Sequence, residues 1–235
     1  MPRILAILIG ISLLAGCNTN TTPASAPTVF IPTTVPQSQA TSAPVTNAAG
    51  TILFQDDFSN KNGDWDQQSS TDGGSNYGSG FYSIQVETAD YSIWANPNAQ
   101  PAFSDVAIDV DAAIANGPED AGFGLICRYV DTDNFMHAAI TADGYYGIVL
   151  VKAKQATVLT GQGNLVKSTA INAGKANNHI QFVCKGNEYT LFVNGQKLES
   201  AHDSSFIQGA VGLIATTFAT GGVEVRFNKY LVTTP

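Results

Sequence analysis

From residue 51 onward the chain alternates short apolar and β-branched runs with clusters of Gly, Asn and Asp, and no window sustains a helical period. Strands are predicted at "TILFQDDF", "GFYSIQVET", "YSIWANP", "SDVAIDVDAAI", "GFGLICRYV", "FMHAAITA", "YYGIVLVKA", "ATVLTG", "NHIQFVCKG", "EYTLFVNG", "AVGLIATTF" and "VEVRFNKYLV". About a dozen strands in one domain implies an all-β fold of two packed antiparallel sheets, a β-sandwich. The Gly- and Ser-rich stretch "SSTDGGSNYGSG" at 69–80 reads as a long, flexible rim loop carrying Tyr77.

Turn residues set the register. Asp143-Gly144 and Asn194-Gly195 are dipeptides of two-residue hairpins, and "DTDN" at 131–134 is a four-residue loop. On that register Val130 faces Phe135, Arg128 faces His137, Cys127 faces Ala138, His137 lies opposite Leu150 and Thr141 lies opposite Tyr146. One face then carries Leu125, Cys127, Tyr129, Met136, Ala138, Ile140, Val149 and Val151, and reads as the core. The other carries Arg128, Phe135, His137, Thr141, Tyr146, Ile148, Leu150 and Lys152. Rings to stack on and fixed donors for hydroxyls are what a sugar site needs, which makes Arg128, His137 and Tyr146 candidate ligand contacts. The alternative is that a loop or terminal strand covers the aliphatic part while Arg128 caps a carboxylate. Trp94, in "YSIWANP", joins the candidates as a rim ring, or else belongs to the core.

Ahead of residue 51 the pattern changes. Residues 1–16 hold one charge, Arg3, and a run of apolar and small residues, a secretion leader too short to span a bilayer. Its end, Leu14-Ala15-Gly16 before Cys17, resembles the lipobox of bacterial lipoproteins. That resemblance implies acylation of the Cys17 thiol, cleavage just before it, and a second lipidation of the freed amine that makes anchoring stable. An ordinary signal peptide with an incidental cysteine is the other reading. Residues 18–50 carry no charge and hold five prolines among Thr, Ala and Ser, a spacer of roughly 30 Å if coiled and about 100 Å if extended. The organisation expected is thus a leader over 1–16, a lipidated Cys17 with a disordered linker over 17–50, and the sandwich over 51–235. It places the domain on the extracytoplasmic face of a cell membrane, with the bilayer as a partner through Cys17.

Apolar residues make up 44% of the 235 and charged residues 13%, enough for a filled core and too little charge for general disorder. Net charge is −8, or −9 once Arg3 leaves with the leader, and no basic cluster exceeds Lys152 and Lys154. Nucleic acid, and anionic lipid bound through a basic patch, are therefore disfavoured. With Cys17 assigned to lipid, Cys127 and Cys184 remain in a domain that folds outside the cytoplasm, which suggests one disulfide; two separate buried thiols are the alternative.

The opening "LFQDDFSNKNGDW", the centre "GFGLICRYVDTDNF" and the close "GAVGLIATTFATGGVEVRFNKYLV" together resemble the concanavalin A-like lectin/glucanase superfamily, and within it the laminin-G-like and 3-keto-disaccharide hydrolase-like domains of bacterial surface proteins. The likeness covers nearly all of residues 51–233. It implies a jelly-roll sandwich, with Trp65 packing near the "DDF" strand. Two departures stand out. The pair usually read Asp-Asn at the end is Asn228-Lys229 here, and the Glu-x-Asp-x-x-Glu strand of the retaining glucanases is absent. Its nearest imitation, Asp109 and Asp111, reads as a solvated strand face. Of the hydrolases' central strand only Gly124 and Arg128 match.

For metal, Asp131 and Asp133 with Asn134 offer hard oxygens that Asp56 and Asp57 could join, making calcium the one cofactor considered; none is required. The spacing is not that of an EF-hand, and turn capping explains the same residues. His137, His179 and His202 lack zinc spacing, and no nucleophile elbow or phosphate loop is present. The expected function is non-catalytic recognition of carbohydrate or another cell-surface ligand. Hydrolysis of a 3-keto-disaccharide by Arg128, His137 and Asp131, and a structural role in the envelope, are the alternatives.

Overall fold

The computed structural model describes residues 50–235 apart from Asn62 and Ala99, so Cys17, the leader and nearly all of the spacer lie outside the described residues. The strands, in chain order, are β1 (Ile52–Asp56), β2 (Gln68–Ser70), β3 (Gly73–Tyr77), β4 (Tyr82–Val86), β5 (Ser92–Ala95), β6 (Val106–Asn116), β7 (Gly122–Asp131), β8 (Asn134–Thr141), β9 (Tyr145–Lys152), β10 (Gln155–Val158), β11 (Val166–Lys167), β12 (Asn178–Lys185), β13 (Glu188–Val193), β14 (Gln196–His202), β15 (Ala210–Thr216) and β16 (Val223–Thr233). No helix occurs among the described residues. The larger sheet runs β14-β13-β12-β6-β16-β4-β3-β2 with β1 added to β16, and the smaller runs β10-β9-β8-β7-β15-β5 with β11 beside β9. Their pairings are antiparallel, so the fold is the expected two-sheet sandwich.

Alternation places the core. Along β6, Ile108, Val110, Ala112 and Ile114 are buried while Asp109, Asp111, Ala113 and Ala115 are less so, the mark of a strand with one face on a partner sheet. At one end of the larger sheet Phe58, Trp65, Tyr77, Tyr82 and Tyr230 stack edge to face and tilted, with the Trp65 and Tyr230 rings 4.8 Å apart. Between the sheets, Cys127 of β7 is bonded to Cys184 of β12.

Two local devices move the register away from the sequence expectation. At the β8–β9 hairpin, Gly144 donates to the Thr141 carbonyl at 3.0 Å and has φ +98°, a type I turn closed by a left-handed glycine. The loop therefore holds Ala142, Asp143 and Gly144, and Ile140 pairs with Tyr146. This one-residue slip turns β9 over: Tyr146, Ile148 and Leu150 face the core, and Val149 and Val151 face outward, the reverse of the predicted faces. In β7, Arg128 has φ +53° and sits in a bulge, so that Cys127 pairs with Met136 rather than Ala138 while Asp131 still pairs with Asn134. The predicted rim loop at 69–80 is instead largely the β2–β3 hairpin, with Tyr77 buried in the aromatic cluster. Gly73 there has φ +132°, and a Cβ would lie 2.1 Å from the Gln85 carbonyl oxygen, so glycine is what lets β3 close on β4.

Both ends of the described chain lie together, with the Gly50 amide donating to the Thr234 carbonyl at 2.9 Å. At that pole Ala107 pairs with Thr233, and β6 carries the chain to Asn116, opposite Glu224, about 30 Å away at the far pole.

Candidate functional site

The outer face of the smaller sheet holds the candidate site. Its registers align the outward residues in rows across the strands. One row reads Gly147, Ala139, Gly124, Ile214 and Trp94 from β9 to β5. On one side of it lies an apolar row, Val149, His137 and Ile126, backed by Val151 and Phe135. On the other lies Thr141, Gly122, Thr216 and Ser92. Three small residues in sequence across β9, β8 and β7 leave a trough between an apolar wall and a hydroxyl-bearing wall. The five strands give it a reach of about 19 Å. Glycine at 124 is forced by the sheet itself, since a Cβ would lie 2.0 Å from the Ala138 oxygen. A Cβ on Gly147 would lie 2.7 Å from Leu165, whose side chain closes that end. The groove encloses about 260 Å³, and Phe218 lines its edge beside Thr216.

His137 is the polar group within the apolar wall. It is 91% buried, and its Nδ1 has no hydrogen-bond partner. Burial alone pushes its pKa down to about 4, so the imidazole is neutral at physiological pH and offers one donor and one acceptor. Across the trough the hydroxyls are pre-oriented. Thr141 Oγ1 donates to the Asp143 carboxylate, Ser92 and Thr216 share a 2.7 Å hydrogen bond, and Thr216 donates onward to the Tyr91 carbonyl at 3.1 Å.

The other sequence candidates lie elsewhere. Arg128 is 1% exposed and away from the groove: its guanidinium donates to the carbonyls of Phe103, Ile207 and Gly186 and pairs with Asp105 at 3.1 Å. The bulge that places it is the reason, because regular alternation would have put it on the groove face with Ile126. Tyr146 reaches the groove's edge but its ring belongs to the core, and its hydroxyl donates to Glu199 at 3.1 Å; burial and that carboxylate push its pKa up to about 12. Trp94 shares the groove face, half-buried against Ile126, Phe135 and Ile214, beside the groove rather than within its lining. Asp131 caps its own turn, accepting from the Asp133 amide and the Asn134 side chain at 2.8 Å each, and Asp133 pairs with Lys154. No group of three or more His, Cys, Asp or Glu side chains suited to a metal ion occurs among the described residues. Arg128 and Asp131 thus have partners of their own while His137 lines the groove, so the trio a hydrolase reading requires is not brought together.

Asp109 and Asp111 stand on the outer face of the larger sheet. His179 bonds both, at 3.2 and 2.9 Å, Gln181 adds a bond to Asp109 at 2.9 Å, and Lys229 reaches Asp111 at 2.9 Å. Lys229 and the adjacent Asn228 are where the sequence departed from the superfamily pattern, and the lysine serves here as a carboxylate partner. Sequence reasoning missed Leu165, Ile214, Thr216, Ser92 and Phe218. The available signal was glycine at 122, 124 and 147 inside strands, which marks close approach of backbone or ligand.

No family model matches the sequence, and no curated protein matches it. Solved structures do. The carbohydrate-binding module CBM66 from Bacillus subtilis superposes over 78% of this chain and 97% of its own, with TM-score 0.53 at 18% identity. A Bacillus subtilis protein of unknown function with a galectin-like fold gives TM-score 0.59 at 10% identity, covering 80% of this chain and 97% of that one. A sialidase matches at TM-score 0.54 and 15% identity, over 78% of this chain but only 18% of its own length. At these identities the likeness establishes the fold alone: the chain is a lectin-like β-sandwich, of the architecture shared by a carbohydrate-binding module and a galectin-like protein.

Proposed function

We propose that the domain binds carbohydrate, without catalysis, in the groove on the outer face of the smaller sheet, and that acyl chains on Cys17 hold it at the extracytoplasmic face of a membrane. The observation that carries the reading is the trough itself: an apolar wall, a facing row of fixed hydroxyls, and a buried His137 nitrogen with no protein partner. A pyranose or furanose ring has an apolar face and a rim of hydroxyls, and this groove offers a complement to each. The CBM66 likeness supports the same reading. The small floor residues admit the ring, His137 supplies a neutral ring nitrogen, and Thr141, Thr216 and Ser92 exchange hydrogen bonds with hydroxyls.

Ala139 is the test position, because its side chain stands on the trough floor and outside the core. With the full chain on a glycan array, Ala139→Phe is expected to weaken binding by at least about tenfold, while the melting temperature moves little. His137→Ala is expected to weaken it as well. Binding that survives both substitutions removes the groove from consideration.

A further inference from the structure

We infer, resting on the groove reading above, that the site selects uncharged glycans and turns away acidic ones, through two carboxylates, Asp120 and Asp143, at its far-pole mouth. A pocket of about 320 Å³ lined by Asp120, Asp143, Tyr145 and Asn164 opens beside the groove, and the two share Thr141, Leu165 and Phe218 as a common lip. The link is also chemical, since the Thr141 hydroxyl that forms the groove's polar wall donates to Asp143. A ligand extending past Phe218 therefore meets carboxylate oxygens next. Inside the groove no Lys or Arg side chain contributes to the lining, and His137 is neutral, so nothing there balances an anion. Lys167, on the strand beside Tyr145, holds its ammonium 5.2 Å from the centroid of the Tyr145 ring. The domain as a whole carries −9, which adds a long-range field of the same sign. A uronate, sulfate or sialic acid carboxylate entering here faces like charge in a partly enclosed site, an arrangement that specifies by repulsion. Neutral polysaccharide meets hydroxyls, the imidazole, apolar surface and carboxylates that can accept from its own hydroxyls, with no like charge to oppose it.

Affinity electrophoresis of the full chain decides the matter, with neutral polysaccharides (arabinoxylan, mixed-linkage β-glucan, galactan) in one set of gels and acidic ones (polygalacturonate, hyaluronan) in another. The expected result is retardation by a neutral polymer and apparent affinity for the acidic ones weaker by about tenfold or more. In the variant Asp120→Asn, which leaves Asp143 in place as the partner of Thr141, acidic polymer is expected to retard the protein more strongly while neutral binding stays unchanged. Equal retardation of the native protein by both sets overturns the inference. So does an Asp120→Asn variant that still ignores acidic polymer while binding neutral polymer; either result leaves the groove reading standing. Retardation in neither set overturns the groove reading and this inference with it, and Ala139→Phe separates groove binding from adsorption elsewhere.

Discussion

At the scale of the residue, His137 gives the domain a pH dependence of predictable sign. Its pKa in the fold is about 4 against an ordinary 6.5, so between those values the unfolded chain takes up a proton that the folded chain refuses. Stability contributed by the neutral imidazole is complete above pH 6.5 and is lost as pH falls toward 4, by up to about 3 kcal/mol. Urea denaturation at pH 7 and at pH 4.5 reads it: the native domain should lose midpoint, and His137→Gln should lose less. Arg128 illustrates how little a side chain's type reveals of its duty. As a strand residue near an aromatic and a histidine it looked like a sugar ligand; a single left-handed backbone conformation turns it into an internal tie between three loop carbonyls and Asp105. Positive φ at arginine carries no sequence signature, so that duty was not legible.

At the scale of the element, β-rich runs and turn dipeptides were legible because alternation and Gly placement have direct physical causes. The Asn194-Gly195 hairpin is a two-residue turn with both residues at positive φ, as the dipeptide requires. Asp143-Gly144 is equally a turn, yet its three-residue form differs from the two-residue form by one position, and one position decides which face β9 shows to the core. Polar β2, β3 and β14 escaped notice because edge hairpins need little apolar content once glycine lets backbones close. Half of the candidate face was therefore visible, His137 and Phe135 on β8, while the β9, β15 and β5 contributions depend on a register the sequence does not settle. Between elements, the bond joining β7 to β12 closes a loop across a sequence separation of 57. Replacing both cysteines by Ala is expected to cost about 4 kcal/mol, through greater freedom of the unfolded chain, measured as a shift in the denaturant midpoint.

At the scale of the whole molecule, the lipid-anchor proposal makes a fractionation prediction. The native protein should sediment with membranes, and Cys17→Ser should move it to the soluble fraction while glycan binding persists, since anchor and groove are separate parts. The positions of the chain ends then matter mechanically. A ligand caught at the far pole and a membrane holding the chain before Gly50 pull on opposite ends of the sandwich. Tension drawn in through Gly50 runs along β1, whose ladder with β16 lies across the direction of pull, so its hydrogen bonds from Ile52 to Asp56 must shear together rather than unzip one at a time. The bond between Cys127 and Cys184, on the tethered half of the sandwich, keeps the sheets from parting if β1 gives way. A domain strung this way can hold a surface to a polymer in flow, and its lifetime under tension is set by how fast β1 slides.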